Sequence, residues 1–511
     1  MSLDAAFGIA RSGLLAVQRG LAQGAQNIAG AGTAGYTRKT VPQSSVVVGD
    51  SPAGLRTADA QRAVDAALVA RLDASRATRA AAAVRERLLT VVEQAHGTLG
   101  TADAPCTTIA DGLGALRQGF LSLRAAPADA GAQRATLERA RDVAQRLNTV
   151  GAAIGEARQQ AQDGIVAEVA DANAALREIA RLTLQLKTGG DGGAAALEDQ
   201  RDLAISRLAE SLEVRAIRQP GGDLLLVTRG GVVLPLDPER DVLATAPATL
   251  APGSFHGAGG TLPGVTAGGL DVTAQLQGGR IGEYLALRDR TLPRYQAEAD
   301  LAAAHLACRF AAEGLALFTD ADGTVPDTAL PYAGSQQIGF AARIRLGAAV
   351  EAAPLLLRDG SFAVSATPGG ATAFTPNPAG GPAGFTTLLD RVLDFTFGAA
   401  AAAGSPWPGI PGSGLGPDGT LASPFAAAAT LEGQAGRVAA AQTGDRAGAT
   451  AALAQATSLL SVLEGRFTRA SGVDVDAELA GMVSLQNAYA ANARVMGTLQ
   501  MMWDSLLAAV R

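Results

Sequence analysis

The chain has 511 residues, 48% of them apolar but only 4% aromatic, and a formal net charge of −6. That length allows two to four domains, and the alanine- and glycine-rich composition suits long helices packed closely over small side chains. An acidic balance with only scattered arginines argues against nucleic acid and anionic membrane as partners, and no stretch approaches the roughly 20 apolar residues of a membrane span.

The N-terminus, "MSLDAAFGIARSG", carries Asp4 early and lacks a basic leader, so no cleaved signal is expected. Residues 3–28 hold a heptad: Leu3, Phe7, Ala10, Leu14, Val17, Leu21, Gly24 and Ile28 alternate spacings of four and three. That is the seam of a coiled coil rather than the wide face of a globular helix. A loop, "NIAGAGTAGYTR" (27–38), ends the helix, and the β-like "KTVPQSSVVVG" follows. The loop contains no His, Cys or acidic residue, which leaves it little catalytic chemistry. Asn27 suits a turn that bridges backbone amides, and its glycines permit positive φ and close approach. Tyr36 and Arg38 offer an amphipathic and a charged contact, either to a neighbouring subunit or within the chain.

Helices are predicted at 58–95, 106–124, 132–187 and 194–212. The third is very long. Its seam runs Leu137, Ala140, Ala144, Leu147, Gly151, Ile154, slips near Ile165, and resumes as Val169, Ala172, Leu176, Ile179. The period then changes, and 212–236 reads as a three-stranded meander with turns at 220–223 and Gly230-Gly231. Residues 237–278 are irregular, and helix returns at 279–318. Residues 319–423 are rich in Gly, Pro and Thr and read as a small, separate, outward domain, with 361–380 a surface stretch expected to tolerate deletion. Helix resumes at 424–469, "SGVDVD" (471–476) breaks it, and a second heptad closes the chain: Met482, Leu485, Tyr489, Asn492, Met496, Leu499, Trp503, Leu506 and Val510. Asn492, the polar member, is the kind of residue that fixes register.

Two heptads at opposite ends predict a hairpin on the scale of the molecule. The expected fold is elongated and mainly α with β-rich insertions. Its parts are a coiled-coil stalk with its connecting loop (1–57 with 471–511), a long-helix body carrying the meander (58–318 with 424–470), and the outward α/β or β unit (319–423).

Catalytic and metal-binding patterns are missing. His96, His256 and His305 have no partner at metal-ligand spacing. Lys39 and Lys187 lie in no phosphate-binding loop. "DADG" (320–323) lacks the further ligands of a calcium loop. Glu198, Asp199 and Asp202 beside Arg201 and Arg207 read as surface or interhelical ion pairs. Cys106 and Cys308 read as small buried residues, with a disulfide left open. No enzyme activity, metal or cofactor is expected.

"QNIAGAGTAGYTRK" (26–39) resembles the N-terminal signature of axial flagellar proteins, with Asn27, Gly35, Tyr36, Thr37 and Arg38 on the pattern and Gly30 where a second Asn is usual. "LEDQRDLAISRLAESLEV" (197–214), "GGRIGEYLALRDRTLP" (278–293) and "SGVDVDAELAGMVSLQNAYAANARVM" (471–496) are similar to segments of flagellar hook-associated protein 1. The resemblance implies a structural subunit exported by the flagellar type III apparatus and assembled as a ring at the hook–filament junction. Its implied partners are copies of itself, hook protein, a second junction protein and an export chaperone. Two rivals stand beside it. One is another axial subunit of hook or distal-rod type. The other is a secreted enzyme using Asp359, Ser361, Asp390 and Asp394 of the outward block.

Overall fold

The computed structural model describes residues 3–48, 51–97, 108–189, 193–219, 222–368 and 370–509. Helix α1 (Leu3–Gly30) leads into the loop and then a short ladder, β1 (Lys39–Thr40) against β4 (Gln61–Arg62). Between them the hairpin β2 (Gln43–Val48) and β3 (Ser51–Thr57) lies along α1. Gly54 makes the approach possible: a Cβ there would stand 2.6 Å from Ser12 Oγ, and its φ is +133°.

Helix α2 (Ala66–Ala95) starts eight residues later than the sequence suggests, because Gln61 and Arg62 are drawn into the ladder. Asp65 caps it, its side chain accepting from the amides of Ala67 and Leu68. Helix α3 (Ile109–Ala125) opens on a Thr108/Asp111 capping box. Helix α4 (Ala130–Thr188) is about 90 Å long at the usual rise. Its heptad phase slips at Ile165, as expected, while burial stays continuous: Ile154, Ala157, Ala161, Ile165 and Val169 are all buried.

Helix α5 (Ala194–Ser211) packs on α4, and the sheet β5 (Val214–Arg218), β6 (Leu224–Thr228), β7 (Val233–Leu234) forms an antiparallel meander in that order. Helices α6 (Gly279–Ala286) and α7 (Leu292–Ala312) are joined by a π turn at Leu287–Thr291. The irregular segment before α6 is ordered by polar residues of α4. Asn173 bonds the backbone of Val242 and Leu243, Gln162 that of Ala246, Gln159 that of Ala248 and Leu250, and Arg158 that of Pro252 and Ser254. Residues of a helix thus satisfy loop amides and carbonyls that burial would otherwise leave unpaired.

The block expected to stand apart at 319–423 is built onto the body. Its short helices α8 (Ala348–Ala352), α9 (Leu356–Asp359) and α10 (Thr387–Arg391) surround a core shared with α3, α4 and α7. Phe310 of α7 stacks with Phe120, Phe318 and Phe397 at centroid distances of 5.7, 5.5 and 5.8 Å. The buried Asp300 of α7 accepts from Gly339 N, Ala341 N and Tyr332 Oη. Phe374, inside the stretch read as dispensable, is only 4% exposed.

Helix α11 (Leu431–Ser471) returns along α2, with Ala435, Gln442, Ala449, Ala456 and Leu463 buried at every seventh position. Helix α12 (Val475–Ala509) then pairs with α1. The nesting is as the heptads suggest: outer helices together, inner helices together, β-rich pieces inserted. Cys106 lies outside the described residues. Cys308 is half-buried and its sulfur faces the Thr328 hydroxyl at 3.4 Å.

Candidate assembly interface

The stalk is built from unequal halves. On α1 the side facing α12 is made of small residues: a Cβ added to Gly13, Gly20 or Gly24 would lie 3.3, 3.1 or 3.2 Å from Asn492, Leu485 or Met482. The buried line of α1 is therefore Ala10, Gly13, Val17, Gly24 and Asn27, with Gly20 half-buried. This corrects the expected seam. Ala10, Val17 and Gly24 belong to it, but Gly13 and Gly20 take the places assigned to Leu14 and Leu21, and Asn27, beside Ile28, is buried against the loop. Leu14, Leu21 and Ile28 are half-buried beside the seam, as is Leu3, and Phe7 is exposed. The physical reason is complementarity: α12 supplies bulk, so α1 supplies room, and the contact line follows its glycines rather than its leucines.

On α12, Met482, Leu485, Asn492, Met496 and Leu499 are half-buried. Tyr489, Trp503 and Leu506 are exposed, which corrects their placement in the intrachain seam. Trp503 lies where α1 runs out, sharing a groove with Leu3 and Phe7. Val510 lies outside the described residues. A wide apolar surface is left open on the same helix, including Leu479, Val483, Val495, Met501, Met502 and Leu507, with Val483 57% exposed. Phe7 and Leu15 of α1 are exposed as well.

The signature loop forms the joint between stalk and body. Asn27 Oδ1 accepts from Gln23 Nε2, Tyr36 Oη and Lys39 N, and its Nδ2 donates to Lys39 O. Tyr36 lies flat on Gly30, where a Cβ would stand 2.5 Å from the ring. Lys39 Nζ sits 3.5 Å from that ring's centroid. Burial, followed by the charges of Asp199 and Glu478, pushes the Tyr36 hydroxyl up from its ordinary pKa. Arg38 pairs with Glu478 of α12 at 2.6 Å, and its amide donates to Ser471 O. Tyr36 and Arg38 thus have partners within the chain.

Asp199 of α5 stands at the centre. It binds Lys39 Nζ at 2.5 Å, Arg62 Nε at 2.9 Å and Thr37 Oγ1 at 2.6 Å. Arg62 also reaches Asp202 at 2.5 Å. Lys39, Arg62 and Asp199 are each less than a tenth exposed in their side chains. Gly35, at φ +80°, brings the loop backbone against Leu203 of the same helix. Neither Lys39 nor Arg62 stood out in the sequence as a partner of Asp199, because the separations of 160 and 137 residues carry no local periodicity. The available signal was chemical: Lys39 is one of only two lysines in the chain and adjoins a signature loop.

At the joint Lys39 and Arg62 pair with Asp199, and Arg38 with Glu478, and among the described residues no group of three His, Cys, Asp or Glu side chains could hold a metal ion. Among those residues, too, no helix is long and apolar enough to cross a membrane.

A family model for the flagellar hook-associated protein FlgK helical domain matches residues 99–321. A second, for the flagellar basal body rod FlgEFG protein C-terminal region, matches residues 465–509. The first match makes residues 99–321, less than half of the chain, similar to the FlgK helical domain. The FlgK helical-domain match takes in α3 to α7 and with them Asp199, while the C-terminal match takes in Glu478 and most of α12. Among solved structures, the flagellar hook junction protein FlgK from Burkholderia pseudomallei is similar at 22% identity and a TM-score of 0.40, over 50% of this chain and 45% of that one. The chain thus aligns with less than half the length of that relative. No curated protein sequence matches the chain.

Proposed function

We propose that this chain is a structural subunit of the bacterial flagellum that forms the junction between hook and filament. It is exported and takes its place in a ring at the hook tip. The observation that carries this reading is the exposed apolar side chains of α12: Leu479, Val483, Val495, Met501 and Leu507 stay open on a helix that packs extensively on α1. Exposed apolar side chains in this number along one helix call for a protein partner, and like copies bury such side chains in a ring. The stalk, 1–57 with 471–511, is the inner assembly element; the body, 58–318 with 424–470, carries 319–423 outward. Hook protein below, a second junction protein above and an export chaperone for the C-terminal helix complete the proposed partners.

The test is direct. A tagged chain is localised by electron microscopy in purified hook–filament assemblies, and filament formation is scored in cells lacking the gene. Label confined to the hook–filament boundary, with filaments lost in the deletion strain, is expected. Label along the hook or rod would assign the chain to another axial component.

A further inference from the structure

We propose that Asp199 is a positioning residue: its buried carboxylate locks the direction in which the stalk leaves the body. The stalk helices α1 and α12 pack extensively on each other, and α1 also on the hairpin β2–β3, while no body helix is packed extensively on either. What ties them to the body is therefore the chain crossing the joint. That crossing is gripped at one place on α5, where Lys39, Thr37 and Arg62 converge on Asp199. Arg38 joins the two crossing segments through Glu478 and Ser471, so both follow the same anchor.

Asp199 is well placed to act on direction rather than on body stability. Its ligands all come from the connector, residues 37–62, whereas α5 holds to the body through Ala204, Ile205 and Leu208 on its buried side. Neutralising one partner of a buried charge cluster leaves the others uncompensated, which drives the connector away from the site. A wandering stalk would not present its apolar surface to neighbours in register; that consequence, unlike the lock itself, rests on the proposed junction role.

The experiment uses the full chain with Cys106→Ala and Cys308→Ala, and spin labels at Thr33→Cys in the loop and Ala174→Cys on α4. Pulsed dipolar spectroscopy reads the distance between them, and calorimetry follows body unfolding. The parent is expected to give one narrow distance. Asp199→Asn is expected to broaden it with the body transition unmoved. Lys39→Met, which removes the partner from the connector and leaves α5 intact, is expected to do the same and covers the case in which Asp199→Asn fails to fold. An unchanged narrow distance in both variants would overturn the proposal, as would a parent distribution already broad. A body transition that falls together with the broadening would overturn it as well, since Asp199 would then serve body stability. The variants are also scored at the hook tip: a broadened joint with normal incorporation upholds the lock and overturns its consequence for assembly.

Discussion

Gly30 is the position where the signature loop departs from the axial-protein pattern it resembles, and the structure gives a reason for glycine. Tyr36 occupies the volume a side chain would need, with its ring 2.5 Å from the site of the missing Cβ. Gly30→Asn is expected to expel the ring, release its bond to Asn27 and destabilise the joint by about 1–3 kcal/mol, the usual cost of overpacking. Faster amide exchange at Lys39, whose N–H donates to Asn27, would report it. A second residue-scale prediction concerns Glu313, fully buried at the end of α7 and 2.8 Å from Arg391. Burial outweighs the arginine and raises its carboxyl from 4.5 to about 7. The folded state therefore binds this proton more tightly than the unfolded one. The stabilising contribution is fully present below about pH 4.5 and is lost as pH rises through about 7. Chemical unfolding across that window is expected to show the parent losing stability relative to Glu313→Gln as pH rises. Parallel curves would exclude the shift.

Elements were legible where periodicity was long and residues were large. The heptads at the two ends, the long central helix and the meander all left patterns that survive into the structure. The error in α1 has a plain cause. Its seam is expected at Leu14, Leu21 and Ile28 because a hydrophobic pattern weights size, whereas the helix approaches its partner over Gly13, Gly20 and Gly24. The slip of α4 near Ile165 is in the structure too, where Ala157 and Ala161 carry the burial through it beside Arg158 and Gln162. The Asp199 cluster was invisible for another reason: ion pairs between residues far apart in sequence have no period. On α4 itself, Leu147 is 1% exposed within the stripe. Leu147→Ala is expected to cost the body about 2–5 kcal/mol in denaturant unfolding. A change within a few tenths would mean the body closes over the lost volume.

At the scale of the molecule, composition misled at 319–423. Gly, Pro and Thr describe loops, but they do not say whether the few apolar residues between them reach the core. Phe374 and Leu388 do, and Arg391 ties the block to α7. Deleting 361–380 would remove Phe374 together with Asn377, which is bonded to Asp359, so the deletion is not the neutral change that composition implies. The open end of the stalk presents the opposite situation, a large side chain with little to lose inside one chain. Trp503 is 44% exposed and lies at the end of α12, beyond most of the cover that α1 provides. An aspartate there meets solvent in the single chain, so Trp503→Asp is expected to leave the calorimetric transition of the body in place. In a ring of subunits the same position would be closed in by neighbours, and an unpaired charge in such a setting costs several kcal/mol. Incorporation at the hook tip is therefore expected to fail while export and folding of the body persist. Helices that pair over glycines and half-exposed residues draw little stability from a single contact, so the backbone amides of 485–506 are expected to exchange quickly in the soluble chain and slowly once assembled. Strong protection in the soluble chain would remove ordering on assembly from the scheme. Normal filaments from Trp503→Asp would remove Trp503 from the interface.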